Sequence, residues 1–314
     1  MSSLLFNKGK LILISLSTLL QLVVNGSNGA LPGEVYWESK LPNTPLPKAL
    51  QELLQPAATA VNKNSFERLK LIREESPRAT YGVGYWEELK TLSDKNVIYN
   101  ETTIYFLYND LHPYKKMKLI FTESMNGSKF LSRKIAESIP FSSNKSQEIL
   151  NYFSIESSSK EAQIMKQTIQ ECEAIGIRGE DKYCATSFES LVDFVTAKFG
   201  KKIGTFSNEV EEENKKQEYT ILKGIKMIRD NQIVCHKQRY KYAIFYCHTI
   251  NGTKAYMVPL VGEDGSRAKA VVICHTDTSA WNPEHFAFQV LNVKPGGRPI
   301  CHFLNSDTIV WVPI

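Results

Sequence analysis

Four Cys-His dipeptides in the last third of this 314-residue chain constrain its fold more than any other feature. They are separated by 10, 25 and 25 residues. In chain order they are Cys235-His236, Cys247-His248, Cys274-His275 and Cys301-His302. Because side chains alternate across a β-strand, the cysteine and the histidine of each dipeptide must point to opposite faces of a sheet. The pattern predicts sulfur atoms on one face and imidazoles on the other.

Two disulfide bonds among these four cysteines would hold neighbouring strands in register and bring the four imidazoles together. Three connectivities are open, and each requires Cα separations of about 5.5 Å. A single histidine in a strand is usually a surface or satisfied core residue, and cysteines alone would be simple staples. Four coupled pairs favour a metal site instead. Nitrogen ligands in an oxidising compartment suit copper(II) best, with zinc as the alternative.

The first thirty residues predict entry to the secretory pathway. Lys8 and Lys10 precede an apolar run over residues 11–22, and small residues follow. This is the pattern of a secretory signal peptide over residues 1–30, and the run is short for the alternative, a membrane anchor. Removal of the signal leaves 36 basic and 33 acidic residues, a balance that makes no case for nucleic acid binding. We expect final residence outside the cell, in the cell wall or in the vacuole.

Secretion also decides how the cysteines and the sequons are interpreted. The six cysteines are even in number, so three disulfide bonds are expected, one of them between Cys172 and Cys184. Five Asn-X-Ser/Thr sequons are candidates for glycosylation. They begin at Asn25, Asn100, Asn126, Asn144 and Asn251.

The pattern of elements predicts an α+β fold rich in antiparallel sheet, with helices set to one side. Helices are expected over residues 146–173, broken near Ser157, and over residues 187–199, closed by Gly200. Asn251-Gly252 and Asp264-Gly265 are strong hairpin signals. Strands are expected over residues 97–107, 117–121, 219–228, 233–236, 242–250, 253–261, 269–276, 286–293, 299–304 and 308–312.

The part of the chain between the signal and the sheet has a different composition. Residues 35–47 are punctuated by prolines and are expected to form an extended docking arm, followed by a short helical turn over residues 47–54. Residues 55–95 are largely polar and charged. The expected organisation is a signal peptide over residues 1–30, an extended segment and linker over residues 31–95, and a folded domain over residues 96–314.

The Cys-His array, with its spacing, resembles that of the plant BURP domain. Supporting segments are Asp110-Leu-His112, residues 136–143, Cys184-Ala-Thr-Ser187 and residues 274–279. The resemblance implies a secreted plant protein, stapled by disulfides, that holds two mononuclear copper(II) centres. The implied ligands are His236, His248, His275 and His302. His112 and His285 are candidates to complete a coordination sphere or to have no role in it, and Asp277 is a candidate acceptor for a ligand N–H.

One segment of the linker is aromatic and glycine-rich. It reads Tyr81-Gly82-Val83-Gly84-Tyr85-Trp86. Some BURP proteins are autocatalytic peptide cyclases that use copper and dioxygen to crosslink a core peptide in their own chain. By this resemblance, residues 79–86 are a lyciumin-type core in which the Trp86 indole nitrogen bonds to the Gly82 Cα. Ala79 and Thr80 replace the Gln-Pro of the lyciumin pattern, which excludes an N-terminal pyroglutamate.

The sequence therefore leaves two alternative functions. The first is an oxidative peptide macrocyclase whose intramolecular substrate is residues 79–86, later released by processing proteases. The second is a non-enzymatic secreted seed, stress or cell-wall protein, in which the domain has a structural metal or binds a wall polymer. Under the second reading, the Tyr/Trp/Gly segment packs on the domain or contacts the polymer.

Overall fold

A computed structural model describes residues 31–54, 102–122 and 128–314. The expected signal peptide and the candidate core at residues 79–86 lie outside these ranges, as do Asn25, Asn100 and Asn126. The helices are α1 Pro32–Lys40, α2 Lys48–Gln51, α3 Arg133–Ser138, α4 Ser146–Tyr152, α5 Lys160–Glu173, α6 Phe188–Phe199 and α7 Phe286–Leu291. The strands are β1 Tyr105–Leu107, β2 Lys116–Leu119, β3 Glu180–Ala185, β4 Ile203–Phe206, β5 Glu209–Val210, β6 Gln217–Ile221, β7 Lys226–Arg229, β8 Ile233–Lys237, β9 Phe245–Ile250, β10 Thr253–Gly262, β11 Arg267–His275, β12 Ile300–Phe303 and β13 Ile309–Pro313.

The predicted α+β fold with antiparallel pairing is confirmed, but the strands form two sheets. An eight-stranded sheet has the order β1-β12-β11-β10-β6-β2, with β5 also paired to β11 and β7 to β10. A five-stranded sheet has the order β3-β9-β8-β13-β4. The Cys-His dipeptides are divided between them, because β8 and β9 belong to the smaller sheet and β11 and β12 to the larger.

The two sheets bury apolar side chains between their inner faces. This layer joins residues of the smaller sheet to residues of the larger sheet, and it leaves none of its core members more than 5% exposed. Its buried members are Val234, Ala255, Val271, Ile273, Leu304, Val310 and Val312. Burial of apolar area of this kind contributes about 25 cal/mol per Å², so the layer is a main source of the attraction between the sheets.

The outer face of the smaller sheet is covered by α1 and α6. Trp37 of α1 is fully buried in one cluster with Phe188 of α6 and with Cys235 and Cys247. Its indole N–H donates to the carbonyl of Thr44 at 2.6 Å. The expectation that this N-terminal segment docks onto the domain is therefore met, but its expected extended form over residues 35–47 is wrong.

The helix α1 forms because its start carries two signals. Pro32 occupies the first turn, where its missing N–H costs nothing. The Glu34 carboxylate accepts the backbone N–H of Leu31 at 2.8 Å, which satisfies one of the free donors at the helix start. The short turn expected over residues 47–54 is present as α2.

The corner at Asn251-Gly252 carries the chain from one sheet to the other. Gly252 has φ +72°, which favours glycine, but β9 pairs with β3 and β8 while β10 pairs with β6, β7 and β11. The predicted hairpin at this position is therefore wrong. A tight turn reverses the chain locally, and twist and packing decide which strand becomes the partner. The hairpin predicted at Asp264-Gly265 is confirmed as the β10–β11 connection.

The remaining predictions for helices and strands divide in a similar way. The broken helix over residues 146–173 is confirmed as α4 and α5, and Gly200 closes α6 with φ +74°. Residues 286–293 were predicted as a strand, but residues 286–291 form the helix α7. The predicted strand over residues 219–228 is divided into β6 and β7. Among the described residues, no helix is both long and apolar enough to span a lipid bilayer.

Candidate metal centre

The cysteines of the four dipeptides pair directly across neighbouring strands. Cys235 lies opposite Cys247 on β8 and β9, and Cys274 lies opposite Cys301 on β11 and β12. Both pairs form disulfide bonds, with Cα separations of 3.9 and 4.0 Å, shorter than the expected 5.5 Å. The expected Cys172–Cys184 bridge is also present and joins α5 to β3.

Each disulfide lies on the outer face of its sheet and each histidine on the inner face. Cys235 and Cys247 are buried beneath α1 and α6, while Cys274 and Cys301 are buried in the cluster on the far side of the larger sheet. The predicted alternation is therefore present in all four dipeptides. What differs from the expectation is that the imidazoles meet between two sheets instead of on one.

The register fixes the two histidines of each hairpin on a diagonal. His236 faces Tyr246 and His248 faces Val234, two residues apart across the strand pair. His275 faces Ile300 and His302 faces Ile273 in the same arrangement. Diagonal neighbours of this kind are about 7–8 Å apart at the backbone, which is within reach of imidazole rings. Directly opposed cysteines therefore produce an imidazole pair on the other face.

The two imidazole pairs surround one small cavity between the sheets. In the first pair, the Nε2 atoms of His236 and His248 are 3.3 Å apart. In the second pair, the rings of His275 and His302 are nearly parallel, at 11°, with centroids 5.7 Å apart. The cavity has a volume of about 10 Å³ and is also lined by Gln232, Val234, Thr249, Ile250, Thr253 and Ile273. It has about the space of a single water molecule and cannot admit a peptide.

Hydrogen bonds at Nδ1 orient three of the four rings. His248 Nδ1–H donates to Glu180 Oε1 at 2.8 Å, and His302 Nδ1–H donates to the carbonyl of Phe303 at 3.1 Å. In a neutral ring, a bond of this kind places the lone pair on Nε2, the atom available to a metal. His275 Nδ1 is hydrogen-bonded to Thr253 Oγ1 at 3.1 Å, a partner that can donate or accept.

Burial keeps three imidazoles of the cluster neutral, those of His236, His275 and His302. Removal from water lowers the pKa of His236 and His275 well below the ordinary value, and neighbouring imidazoles lower it further. For His302, burial lowers the pKa to about 4 against the opposing effect of its bond to the Phe303 carbonyl. Neutral imidazole is the form that ligates metals, so these three rings have the protonation state that a metal site requires.

Glu180 is a candidate site residue that the sequence did not reveal. Burial raises the pKa of its carboxyl, but hydrogen bonds lower it to about 2, so the group is ionised. The donors are His248, the Tyr246 hydroxyl at 2.8 Å and the backbone N–H of Ile177 at 3.0 Å. Glu180 lies in a charged stretch that carries no motif, and β3 was not among the predicted strands, so its pairing with β9 could not be anticipated.

The other candidate residues lie outside the cluster or serve another purpose. His112 is exposed, with Nδ1 bonded to the Pro113 carbonyl. His285 is buried beside Trp281, but its Nδ1 accepts the Ala287 N–H, which leaves the proton on Nε2 and no free lone pair. Asp277 is exposed and accepts the Ser279 N–H instead of a ligand N–H. Asn144 and Asn251 are both exposed, as a glycan would require.

One pair of imidazoles, that of His236 and His248, has a separation that suits a shared ion. Within the part of the chain that the structure describes, no group of three or more His, Cys, Asp or Glu side chains has an arrangement that could hold a metal. Two nitrogen atoms that share one ion at about 2.0–2.1 Å can be no more than about 4.2 Å apart. The separation between His236 and His248 meets this requirement. Disulfide sulfur does not ligate, so the donor set is nitrogen alone.

Comparisons of this chain with a family profile and with known proteins all point to one protein family. The profile of the BURP domain matches residues 104–313. BURP domain-containing protein 5 of Oryza sativa subsp. japonica is 40% identical over 297 residues, which cover 91% of this chain and 88% of that protein. BURP domain protein RD22 of Arabidopsis thaliana is 51% identical over 215 residues, covering 66% of this chain and 55% of RD22. Protein RAFTIN 1B of Triticum aestivum is 29% identical over 96% of each chain. The chain belongs to the BURP domain family.

Proposed function

We propose that this protein is a copper- and dioxygen-dependent peptide cyclase that crosslinks its own residues 79–86. The observation that carries the proposal is the cluster of four imidazoles between two disulfide-bonded hairpins. His236 and His248 would share one ion, and His275 and His302 would hold the second. Bound copper would supply a one-electron oxidant that dioxygen regenerates.

The proposed reaction forms one bond and removes two hydrogens. The Trp86 indole nitrogen loses its hydrogen, the Gly82 Cα loses one of its two, and a C–N bond joins them. The two electrons and two protons pass to dioxygen. A glycine Cα is suited to this chemistry because no side chain covers it and its radical is stabilised between an amide nitrogen and a carbonyl. Attachment of the substrate to the same chain gives it a high effective concentration.

The protein's own residues have defined parts in this scheme. Glu180, Thr253 and the Phe303 carbonyl orient the ligand rings through Nδ1. Val234 and Ile273 of the apolar layer between the sheets line the cavity that the imidazoles surround. The disulfides fix the strand register that places the imidazoles. These features hold the ligands before any ion binds, which lowers the cost of assembling the site.

A second candidate function is supported by the size of the cavity. Because about 10 Å³ cannot admit a peptide, a structural metal site in a non-enzymatic secreted protein is also consistent with the geometry. Under this reading the ions would stabilise the contact between the sheets, and residues 79–86 would bind elsewhere or contact a wall polymer. The two candidates differ in one observable, the covalent state of residues 79–86.

The deciding experiment is mass spectrometry of the full secreted chain after incubation with copper(II) in air. Trypsin cuts after Arg78 and Lys90, so residues 79–90 are released as one peptide. A cyclase would leave this peptide lighter by two hydrogens, with fragment ions absent between Gly82 and Trp86. An unchanged mass in protein shown to contain copper would exclude the cyclase and favour the structural site.

Variants of single histidines provide the matched controls. His275→Ala should abolish the mass change, because it removes a ligand of one ion. His112→Ala replaces an exposed histidine outside the cluster and should leave the crosslink intact. Trp86→Phe should remove the crosslink without altering copper content. Zinc with no copper in metal analysis of the secreted protein would contradict the redox chemistry itself.

A further inference from the structure

The cavity between the imidazole pairs is too small for a peptide, which leaves open how an ion held there would oxidise residues 79–86. Its volume is about 10 Å³, and His248, His275 and His302 around it are no more than 3% exposed. Electrons, unlike atoms, can pass between side chains that are in contact. A route for oxidation therefore needs an oxidisable side chain that contacts a ligand and also reaches the surface.

Tyr246 contacts the imidazole pair whose nitrogen atoms are spaced for a shared ion. It lies on β9 directly opposite His236 of β8, and it shares a strand face with His248, two residues along the chain. The ring of Tyr246 meets that of His248 edge-on, at 70°, with centroids 5.2 Å apart. Tyr246 is partly exposed to solvent. Its phenol therefore joins the ligands of one pair to the protein surface.

The hydroxyl of Tyr246 has a proton acceptor in place. It donates to Glu180 Oε1 at 2.8 Å, and the same oxygen accepts the Nδ1–H of His248 at 2.8 Å. Lys182 Nζ lies 5.3 Å from the centroid of the Tyr246 ring. A cation at this distance is attracted by a neutral ring but repels a positively charged one. Loss of an electron from Tyr246 is therefore favoured only if the hydroxyl proton moves along its hydrogen bond to Glu180.

Other aromatic side chains near the cluster do not combine these two properties. The ring of Trp281 lies 4.8 Å from that of His275, and the ring of Tyr105 lies 5.9 Å from that of His302, measured between centroids. Both aromatic residues are only 5% exposed. Tyr183 of β3 is 39% exposed, but it lies opposite a disulfide cysteine of β9, on the outer face of the smaller sheet.

We propose that Tyr246 is an electron relay between the ion of His236 and His248 and the peptide of residues 79–86 at the surface. This inference rests on the proposed cyclase and adds the route of oxidation. In the first step, Tyr246 gives one electron to copper(II), which becomes copper(I) until dioxygen reoxidises it, and gives its hydroxyl proton to the Glu180 carboxylate. In the second step, the phenoxyl radical takes an electron from the peptide and recovers the proton from Glu180. Two such cycles remove the two electrons that the C–N bond requires, and the two protons of the peptide pass to reduced dioxygen.

The first test compares Tyr246→Phe with Tyr183→Phe in the full secreted chain, incubated with copper(II) in air. Tyr246→Phe keeps the ring but removes the hydroxyl that makes the side chain oxidisable. It should abolish the loss of two hydrogens from the tryptic peptide of residues 79–90, while the copper content and the electron paramagnetic resonance spectrum of copper(II) stay as in the wild type. Tyr183→Phe removes a hydroxyl from the outer face of the sheet and should leave the crosslink intact.

A second measurement does not depend on cyclisation. The chain with Tyr81→Phe, Tyr85→Phe and Trp86→Phe has no oxidisable aromatic side chain in the candidate core, so the oxidised relay should accumulate. When this protein is loaded with copper(I), mixed with air and frozen, electron paramagnetic resonance should show an organic radical whose signal narrows with ring-deuterated tyrosine. The signal should disappear when Tyr246→Phe is added and should remain when Tyr183→Phe is added.

The outcomes separate this inference from the proposed function. Cyclisation by Tyr246→Phe at the wild-type rate would overturn the relay and leave the cyclase standing. Loss of copper together with the crosslink in Tyr246→Phe would also overturn the relay, because the residue would then act by holding the site together. A tyrosine radical that survives Tyr246→Phe would contradict the assignment of the relay to this residue. A wild-type protein that contains copper but stays uncrosslinked in air would overturn both the relay and the cyclase.

Discussion

The β8–β9 hairpin and the β11–β12 hairpin carry the same device in different surroundings. Both have directly opposed cysteines on the outer face and diagonal histidines on the inner face. The first is covered by α1 and α6 and has an ionised carboxylate behind one histidine. The second lies among aromatic rings. The comparison teaches that register determines where the imidazoles lie, while the neighbouring elements determine the surroundings of each ring.

The largest expected effect is the loss of stability when the packing of α1 over the β8–β9 hairpin is removed. Trp37→Ala should destabilise the protein by about 3–5 kcal/mol, because it leaves a cavity beneath α1 beside the Cys235–Cys247 disulfide. Chemical denaturation measures the loss. Hydrogen exchange should become faster in β8 and β9 and stay unchanged in β11 and β12. An equal increase of the hydrogen-exchange rate in both hairpins would contradict the inference that separate elements stabilise them.

Removal of a disulfide should have the next largest effect. Loop-closure entropy predicts a cost of about 3 kcal/mol for Cys235–Cys247 and about 0.7 kcal/mol more for Cys274–Cys301, because the sequence separations are 12 and 27. Double Cys→Ala variants and thermal denaturation test this order. Cys172–Cys184 has the same separation of 12 and is the matched control. Its removal should cost as much stability as that of Cys235–Cys247 but should leave copper content unchanged.

Replacement of one ligand in each hairpin tests whether the pairs act separately. His248→Ala and His302→Ala should each lower the copper content from two ions to one, measured by elemental analysis of the secreted protein. The remaining copper(II) ion should give the same electron paramagnetic resonance spectrum as it gives in the wild-type protein. Loss of both ions in either variant would show that the four imidazoles form one site.

The smallest expected effect is a loss of stability in acid at the contact between α1 and α6. Burial raises the pKa of Asp193 in α6, but hydrogen bonds outweigh burial and lower it to about 2. The donors are Tyr36, Lys40 and Arg133. Because the pKa of Asp193 is lower in the folded state than in the unfolded chain, its carboxylate stabilises the fold above about pH 4. This stabilisation is lost as pH falls toward 2. Because Asp193 is about one-third exposed, we expect no more than about 1 kcal/mol.

The matched variant for this prediction is Asp193→Asn. Its free energy of unfolding should lose less between pH 4 and pH 2 than that of the wild type, by the amount that Asp193 contributes. Tyr36 and Lys40 belong to α1, so acid should loosen the cover of the first hairpin while the second is unaffected. An identical pH profile for the two proteins would show that the ion pairs contribute nothing measurable.

The local periodicity of the sequence predicts which side chains share a face of a strand. It does not predict which strands pair with each other. The alternation of Cys235 and His236 required only the twofold repeat of a strand. The sheet to which each strand belongs depends on contacts distant in sequence, so the corner at Asn251-Gly252 was predicted as a hairpin. The apolar run over residues 286–291 is compatible with a strand or a helix, and its cap by His285 is unusual. Glu180 offered no signal because its role exists only through pairing of β3 with β9.

The separation of sulfur from imidazole has a consequence for how the protein matures and how it can be inactivated. Because the disulfides lie outside the sheets and the imidazoles lie between them, the oxidation of cysteines and the proposed binding of metal would be distinct chemical events on opposite faces of the sheets. Under the proposed function, oxidative folding would need no copper, and the ion would bind afterwards. A chelator should therefore remove the metal without exposing a thiol, so that the empty protein can be reloaded without renewed folding.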